Sequence, residues 1–368
     1  MKENNHTDGK RNLGIDLLRM VCMFMIVMLH TLGHGGILGA SQMGTSNYAA
    51  SWFWEIAALC AVNCYALISG YVGCTSKFKY SNIVVLWLQV AFYSVLDTVL
   101  IALYYPHVDG MVELELSFYP VTNQRYWYFT AYFAMYFFIP FLNYLINNLE
   151  KKMLQRLTIS LVLVFSILPT YAEADIFKLY DGYSAFWLMT MYIIGGYVKK
   201  YGIMINLSKI KLMLVYLSQI LLTWGWKIGN ENVLFEIKGE METPDKFIRY
   251  TSPTLVVAAI ALLVLFMKID IKRFFGKIVK FMAPMAFSVY LIHDNPLVRM
   301  NVMYGRFSEY ATYETWKLFL LIPCTALIIY LICSFADLFR VGLFKLLNIK
   351  KNIEKLEQKI VEKFANNN

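Results

Sequence analysis

Two ionisable residues flank an apolar stretch near the start of the chain. Arg19 and His30 stand at either end of the run 20–29, which contains only apolar residues. A spacing of 11 residues in a helix makes three turns plus about 20°, so both side chains project from one face. Along the helix axis, the two residues are roughly 16 Å apart. A cation at one level can bind an anion, and an imidazole at the other can act as a general base.

Each of these residues also has a structural interpretation. Arg19 can extend its side chain to the membrane surface or pair with Asp16. His30 can be a hydrogen-bonded structural histidine, and His34 falls in the outer loop, where we expect no role for it. Ionisable groups inside apolar spans are costly, so a functional pathway is the default hypothesis for Arg19 and His30.

Further polar residues fall within apolar stretches and sort by predicted depth. Glu55, Asp97 and His293 reach roughly the level of His30, toward the outer face, and Ser69 lies nearer the cytosol. This layering predicts an anionic ligand that enters from the cytosol and a proton-transfer layer that faces outward. Structural alternatives stay open for Glu55, Asp97 and Ser69, and His293 can be an interfacial histidine packed among aromatic rings.

The composition sets the fold class. Of the 368 residues, 58% are hydrophobic and 16% are charged, whereas ordinary soluble domains contain about 45–50% and about 25%. A soluble protein of this size could not bury so much apolar surface. Disordered chains and secreted disulfide scaffolds are excluded as well. The sequence therefore predicts an all-α integral membrane protein.

Stretches without charged residues divide the chain into ten predicted transmembrane helices, because a span needs about 20 mostly apolar residues. Their approximate positions are 13–33, 50–73, 81–105, 127–148, 154–172, 183–199, 208–227, 251–268, 281–300 and 316–340. We place one membrane domain at 1–340 and a short, basic, amphipathic tail at 341–368. The tail is expected to lie on the inner membrane surface.

The basic residues predict the orientation. With the N-terminus inside, most of the 34 lysines and arginines fall in cytoplasmic segments, which is the positive-inside pattern. Both termini are then cytoplasmic, and we expect a multi-pass protein of the cell membrane with the lipid bilayer as a partner. The net charge of +9 is a topology signal, and it requires no nucleic-acid partner.

Four segments together carry a resemblance to a known family. They are 15–19 with His30 in the first span, 67–71 at the end of the second, 127–132 at the start of the fourth, and 288–293 in the ninth. In these segments, in their order and in the ten-span layout, the chain resembles the membrane acyltransferase 3 family over nearly its whole length. The resemblance implies a stand-alone membrane module.

That resemblance implies an activity. Such enzymes move an acyl group, usually acetyl, from cytosolic acyl-CoA to a hydroxyl of a glycan at or beyond the outer membrane face. We therefore expect a bacterial O-acetyltransferase, which transfers groups other than aminoacyl groups. Acetyl-CoA is the expected acyl donor, and a cell-surface or exported polysaccharide is the expected acceptor.

The resemblance and the layering together predict two sets of site residues. The predicted catalytic residues are His30, His293 and Glu55, and the predicted acyl-CoA-binding residues are Arg19, Ser69, Lys77 and Lys79. Many family members carry an Arg-x-x-Arg element in the stretch where this chain has Lys77-Phe78-Lys79, and a phenylalanine where it has Tyr71. No metal site is predicted, because no metal-ligand spacing is present in the sequence.

Two other classes of function are alternatives to the acyltransferase hypothesis. A transporter of a small anion or a lipid-linked sugar also places arginine and histidine inside helices. Transporters often show inverted repeats or matching broken helices, and the sequence contains no such pairing. The membrane half of a sensor or resistance protein is a third possibility, although no soluble output domain accompanies the spans.

Overall fold

The computed structural model describes residues 11–239 and 245–365, and every regular element in these two ranges is a helix. The all-α prediction is therefore confirmed for the described chain. Its helices of eight or more residues are α1 (Leu13–Leu32), α2 (Ser46–Leu59), α3 (Ala61–Gly73), α4 (Tyr80–Tyr104), α5 (Gly110–Phe118), α6 (Trp127–Asn148), α7 (Lys151–Val162), α8 (Ala185–Tyr201), α9 (Lys209–Lys238), α10 (Pro253–Met267), α11 (Arg273–Met282), α12 (Ala286–His293), α13 (Thr315–Leu346) and α14 (Ile349–Ala365).

Seven helical stretches in the described ranges are long and apolar enough to cross a membrane. They are Leu13–Ala40, Ser46–Gly73, Tyr80–Tyr104, Trp127–Asn148, Lys151–Ala172, Arg273–His293 and Thr315–Leu346. These stretches fall at seven of the ten predicted positions. Helices α8, α9 and α10 occupy the other three, but the number of ten spans and the orientation of the termini stay predictions. We call the predicted cytoplasmic end of the helices the inner end and the opposite end the outer end.

Two of the predicted spans have different bounds in the structure. Helix α9 does not end near residue 227 but continues to Lys238, because Lys227 and Glu231 form a buried ion pair one turn apart. The ninth predicted span is interrupted at both ends. A short 3-10 segment at Ala283–Met285 precedes α12, and the chain turns after His293.

Helix α1, which carries Arg19 and His30, has defined ends. The Asn12 side chain accepts hydrogen bonds from the backbone N–H groups of Gly14 and Ile15, which caps the first turn. At the other end the chain turns through Gly36, whose φ of +87° is accessible to glycine at little cost. Helix α1 packs against α2, α3, α10, α11, α12 and α13, so its polar side chains are surrounded by other helices.

Helices α3 and α8 pack with their backbones in close approach. A Cβ atom on Gly70 would lie 1.9 Å from the carbonyl oxygen of Tyr192, and one on Gly195 would lie 2.2 Å from that of Leu67. Both positions therefore require glycine. Helix α3, held by α8 in this way, also packs against α1.

The C-terminal helix α14 packs against the inner end of α4. The carboxylate of Glu357 accepts hydrogen bonds from the backbone N–H groups of Tyr80 (2.6 Å) and Ser81 (3.2 Å), the first residues of α4. Lys79 forms a 3.3 Å ion pair with Glu354. The apolar residues Leu356, Ile360 and Phe364 are exposed on α14, and their contact with a membrane surface stays a prediction.

Candidate active site

The structure brings His30 and His293 into direct contact. His30 lies in the last turn of α1, and His293 is the last residue of α12. The His30 Nδ1 atom is 2.8 Å from the His293 Nε2 atom, which is a hydrogen bond between two imidazoles. Two predicted site residues that are 263 positions apart in sequence thus form one unit.

The hydrogen bonds define the protonation of each ring. The Nδ1 atom of His293 bonds to the carbonyl oxygen of Val289, and because a carbonyl only accepts, this nitrogen must carry the hydrogen. In neutral His293 the Nε2 atom is then an acceptor, so His30 Nδ1–H is the donor. It follows that the Nε2 atom of neutral His30 carries the lone pair and is the basic nitrogen.

A buried carboxylate lies beside this pair. Asp294 Oδ1 is 3.6 Å from His30 Nδ1, 3.7 Å from His34 Nε2 and 3.6 Å from an amino nitrogen of Arg299. These separations exceed a hydrogen bond, and Oδ1 is buried with no hydrogen-bond partner among the described residues. An imidazolium formed on His30 would be stabilised by this carboxylate.

Sequence reasoning missed two members of this cluster. Asp294 follows His293 directly and so points about 100° away from it, and nothing in the sequence shows that it approaches His30. Sequence reasoning also gave His34 no role. His34 lies in the turn that follows α1, so helical spacing could not place it, and only its closeness in sequence to His30 was a signal.

Neighbouring segments hold the cluster in place. The backbone N–H groups of Gly305 and Phe307 donate to the carbonyl oxygens of His34 (2.9 Å) and Gly35 (2.8 Å). After α12, the side-chain amide of Asn295 donates to the Tyr126 hydroxyl at 3.0 Å. These bonds fix the turns that follow α1 and α12, and with them the relative position of their last residues.

A narrow cavity of about 40 Å³ lies next to His30, between α1, α3, α6 and α12. Its wall is apolar and aromatic and consists of Met23, Ile26, Leu29, His30, Val62, Tyr65, Trp127, Tyr128, Tyr250, Phe287 and Tyr290. The hydroxyl oxygens of Tyr128 and Tyr290 are buried without a hydrogen-bond partner in the described ranges. Both phenols can therefore donate to a ligand in the cavity.

Arg19 lies nearer the inner end and makes the ion pair that the sequence left open as an alternative. One of its amino nitrogens is 2.8 Å from Asp16 Oδ1, and Asp16 also pairs with Arg11. The Arg19 side chain is still 33% exposed, so a second anion can reach it. Its backbone carbonyl accepts a 2.7 Å hydrogen bond from the hydroxyl of Tyr65, which lines the cavity.

A row of tyrosines connects the cavity to the inner end. The ring centroids of Tyr65 and Tyr128 are 6.1 Å apart, those of Tyr128 and Tyr132 are 6.5 Å apart, and those of Tyr132 and Tyr136 are 6.1 Å apart. The Tyr136 hydroxyl donates to the carbonyl oxygen of Lys79 at 2.6 Å. The row thus spans the region between the predicted catalytic and acyl-CoA-binding levels.

The remaining predicted acyl-CoA-binding residues lie along α3 and the loop that follows it. The Ser69 hydroxyl donates to the carbonyl oxygen of Tyr65 at 2.9 Å, within its own helix. Lys77 is exposed at the inner end, and Lys79 is partly engaged by Glu354 of α14. The structure therefore places these side chains on the inner side of the cavity.

Glu55 is separate from the imidazole pair. It lies on α2, and its Oε2 atom is buried without a hydrogen-bond partner among the described residues. No hydrogen bond joins it to His30 or His293 within those residues.

A second, polar pocket of about 430 Å³ opens on the outer side of the cluster. Its lining residues are Glu113, Leu116, Asn123, Gln124, Arg125, Trp127, Asp294, Pro296 and Arg299. It shares Trp127 with the narrow cavity and Asp294 with the imidazole cluster. Arg125 is held in place by Glu113 at 2.7 Å and by the Thr98 hydroxyl at 3.2 Å. Amide, guanidinium and indole groups suit a polyhydroxylated ligand.

The comparison with protein families identifies the family of this chain. The sequence matches the acyltransferase 3 family, described as an acyltransferase domain, over residues 12–338. The match begins at the cap of α1, ends within α13 and includes every predicted site residue. Neither curated proteins nor solved structures gave a match. With its apolar, all-helical architecture, the chain belongs to the membrane acyltransferase 3 family.

Proposed function

We propose that this acyltransferase moves an acetyl group from cytosolic acetyl-CoA to a hydroxyl of an extracytoplasmic or lipid-linked polysaccharide. The observation that carries the proposal is the hydrogen-bonded pair of His30 and His293 between a narrow apolar cavity and a polar outer pocket. The narrow cavity suits an acyl group, and the polar outer pocket suits a sugar. A basic nitrogen at their junction suits the activation of a hydroxyl.

The chemical step follows from the arrangement of the rings. His30 Nε2 takes the proton of the acceptor hydroxyl while the oxygen of that hydroxyl forms a bond to the thioester carbonyl carbon. The carbon–sulfur bond then breaks, and the proton passes to the departing thiolate of CoA. His293 holds the His30 ring in the required tautomer, and Asp294 stabilises the transient imidazolium. A positioned base contributes roughly 10²–10⁴-fold to the rate.

Two phenols are suited to stabilise the transition state. The attacked carbonyl oxygen gains negative charge, and preorganised donors in a water-poor site stabilise such charge most strongly. Tyr128 and Tyr290 supply hydroxyls that have no other partner in the described chain. We therefore assign them to the carbonyl oxygen of the acetyl group.

The size of the cavity supports a short acyl chain. About 40 Å³ holds little more than one or two water molecules, which suits a two-carbon acetyl group better than a fatty acyl chain. The rigid wall contains large aromatic side chains, so extra methylene groups would require several rings to move.

The donor approaches from the inner end in this proposal. Arg19 binds an anionic part of acetyl-CoA, because a partly exposed guanidinium is a good phosphate or carboxylate ligand. Lys77 and Lys79 add positive charge at the same end. The row of tyrosines from Tyr136 to Tyr65 is the path along which the thioester arm reaches the cavity.

Reconstituted protein can test the reaction directly. Proteoliposomes would receive acetyl-CoA labelled in its acetyl group, with de-O-acetylated polysaccharide from the native cell as acceptor. We expect the label to appear in an alkali-labile ester on the polysaccharide. A transporter would leave the polysaccharide unlabelled while moving a solute across the bilayer, and that result would contradict the proposal.

A further inference from the structure

We propose that His30, His34 and Asp294 form a binding site for zinc or a similar divalent transition metal ion. We further infer that an ion bound there blocks acyl transfer, a consequence that rests on the proposed function. The binding itself follows from the three side chains alone.

The donor atoms already stand close to the required geometry. Asp294 Oδ1 is 3.6 Å from His30 Nδ1 and 3.7 Å from His34 Nε2. All three ligand atoms lie within 4.8 Å of one another. Two ligands of a tetrahedral zinc ion with bonds of about 2.1 Å are about 3.4 Å apart. Small rotations of the two imidazoles would bring the three atoms to that spacing.

The buried carboxylate oxygen supplies an independent indication of a ligand. Asp294 is 3% exposed, and its Oδ1 atom has no hydrogen-bond partner among the described residues. Burying a carboxylate oxygen without a hydrogen bond is costly, and native proteins rarely leave one unsatisfied. The Arg299 guanidinium is 3.6 Å away and makes no hydrogen bond to this oxygen. The oxygen is 3.6 Å from His30 Nδ1 and 3.7 Å from His34 Nε2, so a metal ion coordinated by both imidazoles would satisfy it.

The donor types select the kind of cation. Two imidazole nitrogens and one carboxylate oxygen suit zinc, cobalt, nickel and copper ions, whereas magnesium and calcium prefer oxygen ligands alone. Three protein ligands leave a fourth position for water. His34 is 39% exposed, so an ion from the outer side can reach the site.

Metal binding excludes the hydrogen bond between His30 and His293. Coordination by His30 Nδ1 requires that this nitrogen give up its hydrogen, which breaks the 2.8 Å hydrogen bond to His293. The hydrogen of neutral His30 then resides on Nε2, so the ring can no longer accept a proton there. A bound ion thereby removes the base.

Arg299 competes with the ion. One of its amino nitrogens is 3.6 Å from Asp294 Oδ1, and the side chain is 32% exposed, so it can move into solvent when a cation arrives. Its charge opposes binding until it moves. Replacement of Arg299 by a neutral side chain should therefore strengthen metal binding.

Direct binding provides the first test. Purified full-length protein without a histidine tag would be stripped with a chelator and titrated with cobalt, whose visible absorption reports tetrahedral coordination, and then with competing zinc. We expect one bound ion per chain in the wild type. His34→Ala should weaken binding at least as much as the roughly 10–100-fold loss caused by removal of a supporting residue.

Two further variants sharpen the binding test. His107→Ala is the matched control, because His107 is an exposed histidine that bonds to Asn301 and not to the cluster. It should bind cobalt like the wild type. Arg299→Gln should bind about tenfold more tightly. Equal binding by wild type and His34→Ala, or no cobalt signal in the wild type, would overturn the site.

Inhibition provides the second test. Zinc should inhibit acyl transfer by the chelator-treated wild type, and half-inhibition of whatever activity His34→Ala has should require roughly ten- to a hundredfold more zinc. Equal inhibition of the two proteins would overturn the inhibitory role. If neither protein transferred acetyl at all, the proposed function would fail, and cobalt binding would still decide whether the metal site exists.

Discussion

At the residue scale, the chemistry depends on which nitrogen of His30 is free. The bond from His293 to the carbonyl of Val289 makes His293 an acceptor toward His30, and this leaves His30 Nε2 as the basic atom. In the proposed mechanism, His293 is thus a positioning residue that acts through His30. The sequence suggested that two histidines share one depth, but the direction of their hydrogen bond depends on a carbonyl whose location only the folded helix defines.

The first prediction at this scale concerns His293. We expect His293→Gln to lower acetyl transfer, by less than the roughly 10²–10⁴-fold attributable to the base itself, and to leave acetyl-CoA binding unchanged. The reason is that the donor binds from the inner end. Parallel binding and turnover assays on detergent-purified protein would measure both. Loss of acetyl-CoA binding in this variant would show that the separation of donor and acceptor sides is wrong.

The second prediction concerns Arg19. Arg19→Ala should weaken acetyl-CoA binding by roughly ten- to a hundredfold, since hydrogen bonds to charged groups contribute about 1.5–3 kcal/mol. Arg19→Lys should retain part of the affinity, because it keeps the charge but loses the planar fork. Titration calorimetry with acetyl-CoA would check this. Unchanged affinity in Arg19→Ala would leave the residue as a structural partner of Asp16 alone.

At the element scale, the packing of α3 against α8 determines where the inner half of the site lies. We expect Gly70→Ala to destabilise the protein by about 1–3 kcal/mol, because its methyl group would overlap the backbone of α8 at Tyr192. Thermal unfolding in detergent, followed by size-exclusion chromatography, would measure the shift.

Gly225→Ala is the matched control for this experiment. Gly225 lies inside α9, and a Cβ atom there would meet nothing within 4 Å. Alanine has the higher helix propensity, so this variant should be neutral or slightly more stable. Equal destabilisation by both substitutions would contradict the close approach of α3 and α8.

The docking of α14 gives a second prediction at this scale. Slight burial raises the pKa of Glu357, but hydrogen bonds from Ser81 and Tyr80 outweigh it and lower the pKa overall. Docking of α14 on α4 is therefore favoured at a pH above the ordinary carboxyl pKa. This contribution is lost as the pH falls through the lowered pKa of Glu357. Glu357→Gln should speed tryptic cleavage in α14 at neutral pH. Glu362→Gln, an exposed position on the same helix, should cleave like the wild type.

The sequence could predict the positions of the helices well and the details of the site only in part. Charge-free stretches locate helices because charged side chains are expensive in a bilayer. They cannot reveal the extension of α9, which depends on the pairing of Lys227 with Glu231. They also cannot reveal that the turn after α12 brings Asp294 to His30. That contact depends on how two helices distant in sequence end side by side.

At the scale of the whole molecule, the site lies between two unlike spaces. The cavity beside His30 is narrow and aromatic, and the outer pocket that shares Trp127 is larger and polar. Because α1 is enclosed by six of the other labelled helices, the imidazole pair is shielded from bulk water on most sides. In the proposed reaction, such shielding would favour transfer to a bound hydroxyl over hydrolysis of the thioester.

The most direct test of the central claim is the acetyl content of the cell's polysaccharide when only His30 is changed. Strains that express wild-type protein, His30→Ala or the control His107→Ala at equal membrane levels would be compared by NMR of the purified polysaccharide. The account predicts that the acetyl signal is lost in His30→Ala and unchanged in His107→Ala. A normal acetyl signal in a well-expressed His30→Ala strain would contradict the assignment of His30 as the base.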